Sequence, residues 1–395
     1  MLQPLPLSLL NLSLRNFRTY SEQDFAFQEK IVVLHGPNGS GKTNLLEAIS
    51  LLSPGRGLRG AATSSVTKKG DGTIKGWKIS ARTLTAEGLL TISAKGGLIS
   101  ENRRSIEIEK KTITQVKLGY FTQMLWIIPA MDRIWNAATS ERRRLLDRSV
   151  LSFAPDHAGN VIEYEQAMRE RNCLFRQKKM HPEWLDVLES RMAKSGIAIA
   201  AARVKALHRL NKAQEHVGAD FPAMKLRALG PWEEKFSQFF SQCSSNDADY
   251  DESSILEFLI AEFSDSLRKN RHKDLQSGRT TEGPHLSDFD VIYTQKNLAA
   301  KDCSTGEQKM LLLGFILTNV YALKEVRGIF PILLLDEVSA HLDEEKCSYV
   351  FEELLALGSQ IFLTGVDRGI FSSLEGRAQY LKVEYQKDTS HITMT

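Results

Sequence analysis

Two apolar stretches open the chain. Leu7, Leu9, Leu10, Leu12 and Leu14 predict one strand, and Ile31, Val32, Val33 and Leu34 predict a second, buried one, with a polar stretch between them. The second runs into a Gly-rich loop. Beyond it, Leu45, Leu46, Ile49 and Leu52 recur at helical spacing until Pro54-Gly55 stops the pattern, which gives strand, loop, helix. Between 75 and 117, four segments alternate apolar with polar residues, as an antiparallel meander does. From 140 to 219 the pattern turns helical and charged: Trp184, Leu188 and Met192 lie four apart, and no glycine falls between Gly159 and Gly196. Residues 241–253 are small and acidic, a surface loop, and helix resumes at Ile255. From Pro331 a buried strand, an amphipathic helix around 349–357 and the strand QIFLT restore α/β order.

A length of 395 residues fits two or three units, or one unit with a large insertion. The 42% hydrophobic and 25% charged content excludes a disordered or fibrous chain. A net charge of +3 does not by itself indicate a nucleic-acid binder, so any such surface must be local. Cys173, Cys243, Cys303 and Cys347 stand far apart without a CxxC pair and read as reduced thiols rather than zinc ligands. No apolar run approaches the roughly 18 residues that a membrane span requires. The apolar opening carries two prolines and no basic residue before Arg15, unlike a leader. A cytoplasmic protein with no membrane partner is the expectation.

Gly36-Pro37-Asn38-Gly39-Ser40-Gly41-Lys42-Thr43 matches GxxxxGK[ST] between the expected strand and helix. Glycines let backbone N–H groups close around an anion, and the helix N-terminus adds its dipole. Lys42 reaches the outer phosphates, and the Thr43 hydroxyl can ligate Mg²⁺. The cofactors expected are therefore ATP and Mg²⁺. Far along the chain, the apolar strand 331–335 ends in Asp336 and Glu337. Such a site needs one carboxylate to hold Mg²⁺, here Asp336, and one to polarise the attacking water, here Glu337. Neighbouring strand residues face opposite ways, so only a turn at the strand end lets both acids approach one point. About three quarters of the chain separates Lys42 from Asp336, so a large insertion must divide one ATPase core.

Ser304-Thr305-Gly306-Glu307-Gln308 precedes a long apolar helix and, taken alone, is a capping box. In this order it resembles the signature of ATP-binding-cassette ATPases, with Ser304 and Gly306 in the serine and second-glycine places. That resemblance implies that Ser304 of one subunit meets the γ-phosphate held by the other, so that ATP joins a homodimer. Residues 339–343, just after the acids, look like the D-loop that crosses such an interface.

More narrowly, the chain resembles the RecF family of bacterial DNA replication and repair proteins along nearly its whole length. The matching stretches are LRNFRTY at 14–20, the phosphate loop with the helix after it, SERRRLLD at 140–147, Gly283-Pro284-His285, STGEQK at 304–309 and LLLDE at 333–337. The resemblance implies an α/β fold: a P-loop ABC-type ATPase head like those of SMC proteins, with an antiparallel β subdomain and an inserted helical lobe. The organisation expected is 1–135 as the N-terminal part of the core with the meander, 136–280 as the lobe, and 281–395 as the C-terminal part of the core. It also implies a slow ATPase that dimerises on ATP and binds single-stranded and duplex DNA at gaps or junctions. Such a protein acts with RecO and RecR to load recombinase after DNA damage. The alternative is the soluble ATPase subunit of a transporter.

The pattern is not complete. Leu286 stands where the family often has Arg, and Thr364-Gly365 stand where transporter cassettes have a switch His; the Q-loop is placed at 126–132. Arg142, Arg143, Arg144 and Arg148 open a predicted helix and read mainly as structural, with DNA phosphates as the competing partner. The run Arg268, Lys269, Arg271, His272 and Lys273, and the pair Lys68-Lys69, carry the same two readings. Tyr20 reads as core rather than an adenine platform, His285 as a turn residue rather than a base, and Cys303 as a small apolar filler.

Overall fold

The computed structural model describes residues 5–68, 76–97, 104–178, 181–243 and 251–395. They divide into two compact units: 1–132 with 216–221 and 304–395, and 133–215 with 222–303.

The first unit is built on a six-stranded sheet in the order Thr389–Met394, Gln379–Gln386, Ile31–His35, Ile361–Gly365, Ile332–Leu335, Met124–Ile127. The five strands from Gln379–Gln386 onward run parallel. Runs such as IVVL, ILLL and MLWI are buried on both faces, which explains their unbroken apolar pattern. The last two strands of the chain, which the sequence reading did not anticipate, form a hairpin. Lys387 and Asp388 both have positive φ (49° and 58°), as a two-residue type I′ turn requires.

A second, antiparallel sheet has the order Tyr20–Ala26, Ser8–Phe17, Trp77–Thr85, Gly88–Gly96, Ser105–Ile108, Lys111–Ile113. It contains the expected meander, with two corrections. The polar stretch after the first strand holds Tyr20–Ala26, an edge strand in which only Tyr20 and Phe25 are buried apolar side chains. The end of the meander, at 115–117, is helical: Thr114 caps the helix Gln115–Phe121 by accepting from Lys117 N.

The second unit carries helices at Thr139–Phe153, His157–Arg176, Pro182–Ala213, Pro231–Cys243, Glu252–Lys269 and Arg271–Ser277. It is not purely helical, because Asp288–Tyr293 pairs with Met224–Leu229 and with Leu298–Ala299. That pairing ties 281–303 to this unit and moves the expected return to the core from 281 to 304. Most of the acidic segment 241–253 lies outside the described residues, and its flanks belong to helices. Among the described residues, no helix is long and apolar enough to cross a membrane.

Two buried arginines organise the second unit. Arg203 donates to Asp147, Glu233 and Pro284 O, and Arg171 donates to Glu189, Asp274, Thr280 and Leu267 O. Between them lies the Gly-Pro-His turn. Gly283 sits at φ +135°, where an added Cβ would come 2.1 Å from the Tyr164 hydroxyl, so both backbone angle and space demand glycine. His285 is a turn residue as expected, with Nδ1 2.8 Å from the Tyr164 hydroxyl.

Burial, with smaller contributions from Arg143 and Arg203, lowers the His285 pKa from its usual 6.5 to about 4. The folded state thus resists a proton that the unfolded chain accepts, so stability present above pH 6.5 is lost as pH falls toward 4. Thermal melting followed across that range is expected to show a steeper acid decline in the native protein than in His285→Gln. Equal slopes would show that His285 does not set this dependence.

Candidate active site

The phosphate loop connects the strand Ile31–His35 to the helix Lys42–Ser50. Gly36 has φ +146°, and a Cβ there would lie 2.2 Å from Val383 O; Gly41 turns the chain into the helix at φ +112°. Pro37, Asn38 and Gly39 form the exposed lip, while Ser40 and Gly41 are buried beneath it. Tyr20 is core, and its hydroxyl supports the loop from below by donating to Gly41 O at 3.0 Å. Ser390 donates to Ser40 O at 2.6 Å, so the unanticipated C-terminal hairpin also braces the loop.

Lys42 Nζ folds back to donate to Gly36 O (2.6 Å) and Pro37 O (2.8 Å). Burial lowers its pKa, against the pull of the nearby Glu337 and Asp336 carboxylates. Ser40 Oγ is buried without a hydrogen-bond partner. An ammonium satisfied only by loop carbonyls, an orphaned hydroxyl and a glycine-lined turn are together a donor set that fits a polyphosphate.

Opposite the loop, Thr43 Oγ1 lies 3.0 Å from both Asp336 oxygens. Burial raises the Asp336 pKa, and hydrogen bonds from Thr364 and Thr43 oppose that rise. A buried carboxylate beside a hydroxyl is a hard oxygen pair suited to a Mg²⁺ ion that keeps several waters and binds phosphate oxygens. Glu337 adopts φ 52°, so the chain turns sharply after Asp336 and both acids stay at the end of one strand. The sequence reading missed Thr364, which joins the two. Its hydroxyl donates to Asp336 Oδ1 and accepts from Glu337 N, both at 2.8 Å. Its signal was a lone polar residue in IFLTG, at the place where a transporter's switch histidine was sought.

Ser304 and Gly306 lie elsewhere, at the start of the helix Thr305–Arg327. Ser304 is exposed and forms a true capping box with Glu307: Ser304 N donates to Glu307 Oε2 at 2.8 Å, and Ser304 Oγ accepts from Glu307 N at 3.4 Å. In the 339–343 segment, His341 is exposed at φ 65°, and Asp343 caps the next helix by accepting from Lys346 N. Beside the loop, a cleft of about 810 Å³ is lined by Arg18, Thr19, Asn44, Arg59, Lys68 and Tyr385, among others. Arg18 clamps the buried Glu47 through two bonds of 2.7 and 2.9 Å, and Arg59 donates to Asn44 Oδ1 at 2.9 Å.

The basic runs are largely engaged. Arg142 pairs with Asp288 at 2.6 Å, Arg143 donates to Ser287 O, and Arg148 is half-buried, whereas Arg144 is exposed. Arg271 pairs with Asp186 and Glu189, and Arg268 with Asp186; Lys269, His272 and Lys273 stay exposed. Lys68 bonds to Thr19 O and Asp388 O, and Lys69 lies outside the described residues. Cys303 is buried as a filler, and no cluster of three metal-binding side chains occurs among the described residues.

The RecF/RecN/SMC N-terminal domain family model matches residues 8–391. The DNA replication and repair protein RecF of Agrobacterium fabrum is 39% identical over 384 residues, 96% of this chain and 97% of that protein. Among solved structures, the recombination mediator protein RecF-ATPrS in the RecFOR pathway superposes with a TM-score of 0.81 at 22% identity, covering 99% of each chain. The Smc head domain of Pyrococcus furiosus superposes at 0.54 with 14% identity, covering 98% of this chain and 96% of that one. These likenesses set aside the transporter alternative. Matched by the family model and by a curated relative across almost its entire length, and carrying the loop and acids of a P-loop ATPase core, the chain belongs to the RecF family of DNA replication and repair proteins.

Proposed function

We propose that this chain is an ATP-dependent DNA-binding protein of replication and recombinational repair, a slow ATPase that closes into a homodimer around ATP. The observation that carries the reading is the convergence of Thr43, Asp336, Thr364 and Glu337 opposite Lys42. On ATP binding, Lys42 exchanges two loop carbonyls for outer phosphate oxygens, and Ser40 Oγ gains a partner. The cleft lined by Arg18, Asn44 and Arg59 lies beside the loop and suits the nucleoside end. When bound, Mg²⁺ would supply charge neutralisation across the outer phosphates, with Thr43 and Asp336 as the ligands present for it. Glu337 is the base that orients and polarises the attacking water.

Ser304 and Gly306 lie on an exposed helix N-terminus, so they are available to a second copy's γ-phosphate, and 339–343 follows the base toward the same interface. Hydrolysis then reopens the dimer. DNA at gaps or junctions is the target, RecO and RecR are the partners implied by the family, and the cytoplasm is the setting. The exposed basic side chains Arg144, Lys269 and Lys273, with His272 beside them, are the candidates for phosphate contact.

Binding of single-stranded, duplex and gapped DNA, measured with and without ATP across a salt series, tests the reading. ATP is expected to tighten binding, and the logarithm of affinity should fall linearly with the logarithm of salt concentration. No DNA binding at any salt in the presence of ATP would refute it.

A further inference from the structure

We propose that Lys309 is a positioning residue for ATP hydrolysis, an inference that rests on the hydrolytic reading above. Five residues into the helix that Ser304 caps, Lys309 turns inward and is almost wholly buried. Its ammonium donates to Ala340 O at 2.5 Å and to Glu337 O at 3.4 Å, and lies 3.5 Å from Asp132 Oδ2. A buried ammonium is costly unless paired, so this placement must be held by its partners. Burial lowers the Lys309 pKa, and Asp132 opposes the shift.

The partners are informative because they bracket the base. Glu337 is a non-glycine residue at φ 52°, a conformation that persists only where the surroundings over-determine it. Thr364 Oγ1 receives the Glu337 N–H on one side. On the other, Glu337 O accepts from Ala340 N at 3.1 Å, closing a turn, and Lys309 fastens both carbonyls of that turn. The backbone of the base is therefore pinned from its N-side by a strand residue and from its C-side by the signature helix. Thr43, Asp336 and the phosphate loop receive none of these Lys309 bonds. Losing the ammonium would let the turn relax and move the Glu337 carboxylate from its water, with the nucleotide cradle unchanged. It would also leave Asp132, whose Oδ1 is already buried without a partner, without its ion pair. Because Lys309 and Ser304 share one helix, the same bond passes any shift of that helix to the base.

The test compares native full-length protein with Lys309→Met and Lys309→Arg, measuring ATP affinity by equilibrium dialysis and phosphate release per nucleotide-binding site. In Lys309→Met, affinity should stay within about threefold while turnover per site falls on the order of 100-fold, the cost of a misplaced catalytic group. Lys309→Arg, which keeps a charged donor, should recover part of the turnover. Should Lys309→Met fail to fold, Lys309→Gln, which keeps an amide donor but loses the charge that pairs with Asp132, must show turnover per site falling by more than about threefold while affinity holds. Turnover per site within threefold of native, or affinity falling in step with turnover, overturns the proposal. Absence of phosphate release from the native protein would instead overturn the hydrolytic reading on which it rests.

Discussion

Glu337→Gln is expected to lower phosphate release by about 100-fold or more, the usual worth of a general base, while nucleotide affinity stays within a few fold. The change is nearly isosteric. It leaves the φ 52° turn, the Glu337 N to Thr364 bond and the Asp336 carboxylate with its two threonine partners in place. What the substitution removes is the carboxylate's capacity to accept a proton from water, the role proposed for Glu337. If hydrolysis is the step that reopens an ATP-joined dimer, the variant should also accumulate as a dimer in saturating ATP, seen by light scattering. A variant that hydrolyses ATP at the native rate would remove Glu337 from the mechanism. One that is inactive yet monomeric in saturating ATP would instead refute the dimer.

The cradle was legible because its residues are consecutive: the loop at 36–43 and the acids at 336–337 announce themselves wherever the intervening chain goes. Thr364 and Lys309 were not, because their meaning depends on adjacency. Ile361–Gly365 lies between the strand that carries the loop and the strand that carries the acids, with Leu363 beside Leu335 and Thr364 beside Leu34, so its threonine arrives level with Asp336. Nothing in IFLTG states that register. Lys309 looked like one more polar residue in a signature, and only the return of 337–340 over its helix gives it partners. Tyr20–Ala26 was missed because an edge strand with a solvent face needs few apolar residues. The lobe's end was misplaced for a different reason: 281–303 is short-stranded and polar enough to pass for either unit, and only its pairing with Met224–Leu229 decides.

Arg171→Leu is expected to destabilise the second unit by about 3–5 kcal/mol, the cost of leaving buried charge without its partner. Arg171 is fully buried, and its guanidinium donates to Glu189 (3.0 Å), Asp274 (2.6 Å), Thr280 (2.9 Å) and Leu267 O (2.9 Å), tying together four helices and the segment that leads into the Gly-Pro-His turn. Leucine would fill part of the volume but satisfy none of these acceptors. Glu189 would keep Arg271, and Asp274 would keep the Thr281 N–H and hydroxyl, so the site would then hold two buried carboxylates against one arginine. Against a typical stability of about 5–15 kcal/mol, such a loss is a large fraction of the total. Urea titration of native protein, Arg171→Leu and the triple variant Arg171→Leu, Glu189→Gln, Asp274→Asn provides the measurement. The triple variant should be less destabilised than the single one, since it removes the stranded charges. A single variant within about 1 kcal/mol of native, the scale of an ordinary surface ion pair, would show that the network adds little to stability.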